Sequence, residues 1–237
     1  MPADRYDPTL FQTTVAADMG VAAPVSCFAI MQYVIEDFEL SYFPGGRRSR
    51  RLSYSDAYSN LSFCILQQIV RAASGVNYQR YVREEILRPA GVTAMVVGRG
   101  RQSQQRPGEV TYYDQPFSPL VTSQYPQDAN PVPRPYSFVV EAMAGHGGWI
   151  ASANDLVRYA AFTPTGPGGA TTFFGSLNGT RSVLKEEDDV FVAIVWNASP
   201  SDSGFDVVAE FGGLIENGID AVTIWPSRNL WAEHGYP

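Results

Sequence analysis

Lysine is nearly missing from this chain: 237 residues hold sixteen arginines and a single lysine, Lys185. Any chemistry that needs a lysine amine must therefore use Lys185 or take its lysine from another polypeptide. Histidine is almost as scarce, with only His146 and His234. No His/Cys cluster has metal-ligand spacing, so neither a metal site nor a cofactor is expected. Two cysteines, Cys27 and Cys64, exclude a disulfide-rich framework. Each falls on an expected buried helix face and reads as a small hydrophobe, with a bond between them left open. No apolar run approaches the ~18 residues that span a bilayer. Cationic charge is also short. The net charge of -7 argues against nucleic acid, since phosphate binding needs clustered bases. The one basic cluster, Arg47-Arg48-Ser49-Arg50-Arg51, follows Pro44-Gly45-Gly46 and reads as a solvated loop. The N-terminal stretch MPADRYDPTLFQ has no basic flank and no apolar core, so it does not read as a signal peptide. The expectation is a cytoplasmic chain, although a removed leader would leave no trace.

Hydrophobic periodicity outlines the elements. Cys27, Ile30, Met31, Val34, Ile35 and Phe38 recur at helical spacing, with Ser26 as N-cap. A second helix is expected from about Leu61 to Ser74, with Asn60 at the N-cap and Gly75 at C′. A third runs from about Tyr78 to Arg88 and stops at Pro89. Residues 98–137 carry seven prolines and read as a long irregular cover, apart from a short strand at Glu109–Asp114, with Tyr112, Tyr113, Tyr125 and Tyr136 either lining an apolar cleft or packing the segment down. Ser152 and Asp155 resemble a capping box ahead of a helix over Ala153–Phe162. Arg181–Lys185 and Val190–Asn197 form a β-hairpin pattern around an acidic turn, and a last helix is expected from about Phe205 to Asn217. The fold class is α+β, an antiparallel sheet flanked by helices with a helical subdomain. One domain is expected: a helical part over 26–97, a long loop over 98–144, then helix, hairpin and C-terminal helix over 145–237.

The chemistry-bearing residues sit at a few points in this order. Tyr58-Ser59-Asn60 leads into the apolar helix Phe63-Cys64-Ile65-Leu66. Ala73-Ser74-Gly75, Ile86-Leu87-Arg88-Pro89-Ala90-Gly91 and Glu109-Val110-Thr111-Tyr112-Tyr113 follow. Then come His146-Gly147-Gly148-Trp149-Ile150-Ala151-Ser152 and Gly175-Ser176-Leu177-Asn178-Gly179-Thr180. In number, order and spacing these stretches resemble the serine β-lactamase and penicillin-binding-protein superfamily, nearest to class C β-lactamases and family VIII esterases. The resemblance covers most of residues 26–197. It implies a β-lactamase/transpeptidase-like fold lacking the N-terminal strands and the helix that carries Ser-x-x-Lys. By resemblance Tyr58 is a general base or proton relay, and Asn60 binds substrate and orients the lysine. The bland alternative is an aromatic before a helix and a capping Asn. A tyrosine of ordinary pKa near 10 acts as a base only where nearby cations favour its phenolate.

The third family element, Lys-Thr-Gly or His-Thr-Gly, has Phe173-Phe174-Gly175 as its counterpart here. A phenyl cannot bind a substrate carboxylate. Gly175 keeps a close backbone approach, and the Ser176 N–H suits an oxyanion donor. The only literal Ser-x-x-Lys, Ser182-Val183-Leu184-Lys185, falls on an expected strand, where i and i+3 face opposite sides. Glycine-flanked His146 shapes a loop beside the site, with Ser59 a weaker nucleophile candidate. Two functions are carried forward. One is a truncated or degenerate homologue, inactive alone, acting as a fragment, a split half or a binding pseudoenzyme for a small ester or amide. The other is an active esterase or amidase with a non-standard nucleophile and Tyr58 as base. Missing N-terminal strands would expose a sheet edge and apolar surface, which predicts a homodimer or a partner chain covering the gap.

Overall fold

The computed structural model describes residues 8–36, 59–163, 172–187, 190–198 and 207–228. The Arg47–Arg51 cluster and Phe38 lie outside the described residues. Helices α1 (Gln12–Met19), α2 (Cys27–Glu36) and α3 (Asn60–Ser74) form a helical corner. Val15, Ala16, Val25, Ile30, Tyr33 and Leu61 close a buried cluster between them. Each large aliphatic side chain buried there contributes roughly 1.5–3 kcal/mol. Helix α2 starts as its sequence dictates, with the Ser26 Oγ accepting the Ala29 N–H at 3.1 Å. Helix α3 is capped one residue earlier than expected: Ser59 is the N-cap, its Oγ accepting from the Ser62 N–H at 3.4 Å. Asn60 is thereby freed from the capping role. Gly75 ends α3 in the left-handed region, at φ 71°, where a side chain would be strained.

Cys27 and Cys64 form a disulfide, with Cα atoms 5.8 Å apart, joining α2 to α3. The pairing replaces the reading of two separate small hydrophobes. Helical periodicity places both on inward faces but does not say that the faces meet opposite one another.

Helix α4 (Tyr78–Tyr81) is capped by Asn77, whose Oδ1 accepts from the Gln79 and Arg80 N–H groups, and runs on into a π-helical turn over Val82–Leu87. Pro89 follows immediately, as the sequence predicts. Strands β1 (Val96–Val97) and β2 (Trp149–Ile150) then pair antiparallel across about fifty residues of chain. Between them the 98–137 segment is irregular, with short 3-10 turns at Gln102–Gln104 and Arg134–Tyr136. The expected strand at Glu109–Asp114 reduces to one parallel bridge, Tyr113 to Ala198.

Helix α5 (Ala153–Phe162) matches its expected bounds, and Ser152 and Asp155 form a complete capping box. It packs on β5 and β4. Strands β3 (Thr172–Leu177), β4 (Thr180–Glu187) and β5 (Val190–Trp196) form an antiparallel sheet in the order β3-β4-β5. Helix α6 (Val207–Asp220) docks on it through Phe211 and Trp196, ring centroids 5.4 Å apart. The fold is α+β, as the element order implied.

The disulfide closes a loop spanning 37 residues. In the chain-entropy account that is worth about 4 kcal/mol. Reduction followed by thiol alkylation is expected to lower the thermal midpoint by roughly 10 °C. Recovery of two alkylatable thiols from the unreduced, unfolded protein would contradict the pairing.

Candidate functional site

The two parts of the chain meet along the Gly145-His146-Gly147-Gly148 loop. A Cβ placed on Gly145 would lie 2.7 Å from the Gln67 Oε1 and 2.8 Å from the Phe63 carbonyl oxygen of α3. Only glycine lets the loop come this close to the helix. The other end of the loop continues into β2, and the Trp149 indole N–H donates to the Ala144 carbonyl at 2.7 Å. His146 follows Gly145 directly in this seated loop.

A cleft of about 1080 Å³ opens there. Asn60 and Phe63 of α3, His146, and Phe174, Gly175 and Ser176 of β3 all line it. Of the residues singled out in the sequence, four therefore share one cavity: Asn60, His146, Gly175 and Ser176. Tyr58 lies outside the described residues. Ser59 is at the helix mouth with its hydroxyl oxygen engaged by the Ser62 N–H. Of the two phenylalanines of β3, Phe174 lines the cleft and Phe173 does not. Gly175 pairs with Ser182 across the β3–β4 ladder, and the Ser182 hydroxyl fills the space where a Cβ of residue 175 would go.

Lys185 sits three residues along β4 from Ser182, and its ammonium donates to the Glu216 carboxylate of α6 at 2.6 Å. It is not among the cleft-lining residues. The Ser182-x-x-Lys185 sequence thus behaves as strand geometry requires, with the two side chains engaged at different places.

The irregular segment supplies the remaining wall. Tyr112 and Tyr136 line the cleft. The Tyr136 hydroxyl accepts the Tyr112 backbone N–H at 2.9 Å, and the two rings stand 6.3 Å apart. Burial and then the Glu109 carboxylate, which accepts a hydrogen bond from the phenol, push the Tyr112 pKa well above its ordinary value near 10. Tyr112 therefore keeps its proton, which it donates to Glu109. Arg106 and Arg181 also line it. Their guanidinium groups donate to backbone carbonyls, of Val97 for Arg106 and of Leu177 and Thr180 for Arg181.

Tyr125 does not reach the cleft. Its phenol donates to Glu141 at 2.6 Å and accepts the Gly100 N–H, and burial and Glu141 raise its pKa. Arg101 stacks over its ring at 4.7 Å. This cluster pins the long segment to the loop before β2. Periodicity carries no sign of Tyr112, Tyr136, Arg106 or Arg181 as cleft residues, since they lie on irregular chain or at a hairpin corner. No group of three or more metal-ligating side chains occurs among the described residues. No described helix is long and apolar enough to cross a membrane.

Two outcomes follow from this geometry. Gly145→Ala should cost about 1–3 kcal/mol in urea denaturation, because the added methyl meets backbone on α3. A neutral effect would mean that the loop is not seated on the helix. Stability should also fall above pH 10. There the unfolded chain releases the Tyr112 and Tyr125 protons, while the folded chain, with both pKa values raised, retains them. A Tyr112→Phe, Tyr125→Phe double variant should show a flatter denaturation midpoint between pH 9 and pH 11 than the parent, in the range bounded by the ordinary tyrosine pKa of about 10.

A family model described as Beta-lactamase matches residues 50–214. Among solved structures, the fold is similar to the D-amino acid amidase from Ochrobactrum anthropi SV3 complexed with L-phenylalanine amide. The TM-score is 0.57 at 14% identity, over 90% of this chain and 68% of that one. It is also similar to the octameric penicillin-binding protein homologue from Pyrococcus abyssi. There the TM-score is 0.55 at 15% identity, over 90% of this chain and 53% of that one. Comparison with curated protein sequences gives no match.

Proposed function

The chain belongs to the Beta-lactamase family, and from that premise we propose that by itself it binds a small ester or amide without hydrolysing it. In this reading it is a partial or degenerate serine-hydrolase scaffold, either one half of a split enzyme or a binding pseudoenzyme. The observation that carries it is the engagement of Lys185 with Glu216, away from the cleft. A serine hydroxyl is a poor nucleophile without an adjacent base, and the one lysine of the chain is committed elsewhere. Tyr112 holds its proton, so it does not replace the lysine.

What the cleft keeps is the binding half of the chemistry. The Asn60 amide and the Ser176 N–H offer hydrogen bonds to a carbonyl oxygen, and Phe63 and Phe174 offer apolar contact to an acyl or amine substituent. An amide ligand accords with the structural likeness to an amidase. The fold relatives are longer than the region matched here, so a further polypeptide, a second copy or a partner, belongs to the same reading. The Cys27–Cys64 bond favours an oxidising compartment over the cytoplasm expected from the N-terminal sequence. The competing reading is an active esterase or amidase using Ser59 or Ser176 with Tyr58 or His146 as base. It draws less support because the Ser59 oxygen already caps α3.

Intact-mass measurement after exposure to a fluorophosphonate separates the two. The protein is expected to stay unmodified while its far-ultraviolet circular dichroism remains that of a folded chain. A stoichiometric adduct that disappears in a Tyr58→Phe variant would establish the hydrolase instead.

A further inference from the structure

Outside the cleft, one turn of the long segment is held in a conformation that its residues do not favour. Gln115-Pro116-Phe117-Ser118 closes through the Ser118 N–H onto the Gln115 carbonyl at 3.1 Å. Phe117, third in the turn, has φ 66° and is the only positive-φ residue other than glycine among the described residues. A turn with that geometry takes Gly or Asn at the third position, because a side chain there meets its own backbone. The ring gains nothing inside the fold in return, since Phe117 is fully exposed, at 105%.

The turn is also clamped rather than loose. Asp114 accepts the Gln115 N–H at 2.8 Å and the Arg134 Nε–H at 3.1 Å, and the Arg134 Nη2 donates to the Ser118 Oγ at 3.0 Å. One arginine therefore ties both ends of the turn, and it belongs to the same 3-10 turn as the buried Tyr136. Backbone strain over-determined by surrounding contacts is the mark of a functional position, and a rigid exposed aromatic loses little entropy when it is covered.

Tyr113 and Leu120 are exposed on the same stretch, at 57% and 59%. With Phe117 they present on the order of 400–500 Å² of apolar surface, the size at which exposed patches mark contact sites. Between Pro107 and Val121 the charged residues are Glu109 and Asp114, with no lysine or arginine. That composition does not suit an anionic lipid surface. Asp114 is neutralised by Arg134, so two such turns meet without a repelling pair at the centre, even on a chain of net charge -7. A penicillin-binding protein homologue of the same fold is an octamer.

We propose that the Phe117 turn is a homotypic contact through which two copies of this chain associate. The arrangement is a two-fold interface with Phe117 at its centre and Tyr113 and Leu120 around it. Two patches facing each other bury about 1,000 Å² in total, which is the range of weak, reversible dimers. The proposal rests on the assembly expected under the proposed function, and it adds the surface. Phe117 is not among the residues lining the cleft, so failure here leaves the ligand-binding reading standing, and the reverse also holds.

Sedimentation velocity from micromolar to submillimolar concentration, run beside thermal melts in dilute solution, tests this with two substitutions. The parent is expected to show a monomer–dimer equilibrium. Phe117→Gly should weaken it at least tenfold and raise the melting midpoint by about 2–4 °C, because the strain is released as the contact is lost. Phe117→Ala keeps the strained backbone and removes the ring, so it should weaken the dimer equally without that rise. A parent that stays monomeric throughout overturns the proposal, as does a dimer retained by either variant.

Discussion

The approach of the Gly145 backbone to helix α3 is the contact on which the rest of the site depends. It brings the Phe63 carbonyl and the Gln67 side chain within touching distance of a loop that runs directly into strand β2. Asn60, His146 and Ser176 line the cleft that opens beside this contact. The disulfide acts on the same element from behind. It ties α3 to α2 at Cys64, four residues beyond Asn60, so the helix that carries one wall is anchored at its buried face.

The cleft assembled in this way sets the donors of Asn60 and its arginines beside the His146 imidazole and the Glu109 and Asp155 carboxylates. Its phenol is kept protonated by burial and by Glu109. Of its four arginines, Arg106, Arg158 and Arg181 donate to backbone carbonyls, which makes them struts for the wall as well as charges. The lone lysine is spent on holding α6 to the sheet. In the proposed reading such a wall binds a carbonyl compound without activating a hydroxyl. The family membership accounts for the fold around the cleft, while the placement of Lys185 bears on its proposed use.

Much of this was legible in the sequence, for identifiable reasons. Ser152 and Asp155, Gly75 and Pro89 are local signals, acting within one turn of helix, and the elements they bound were readable to within a residue or two. Asn60, His146, Gly175 and Ser176 were located by the order of short motifs, which carries information about the fold that no single motif has. Other features were hidden because they depend on contacts distant in sequence. The Ser59 cap competes with Asn60 at the adjacent position, and only the backbone decides between two good capping residues. The β1–β2 pair is two residues per strand, too short for any period to show. The Cys27–Cys64 bond follows from how elements pack, and of the four tyrosines that the sequence offers for the cleft or for packing the long segment, only packing decides that Tyr112 and Tyr136 line it. The expected strand at Glu109–Asp114 failed for a related reason. Its β-rich composition serves burial of Tyr112 beside Tyr136, not a ladder.

The central claim is that the cleft binds without turning over. It is tested most directly by following one chromogenic phenyl ester by calorimetry and by absorbance in the same solution. Saturable heat of binding with hydrolysis no faster than in buffer is the predicted result. Saturable hydrolysis that Ser176→Ala abolishes would contradict it.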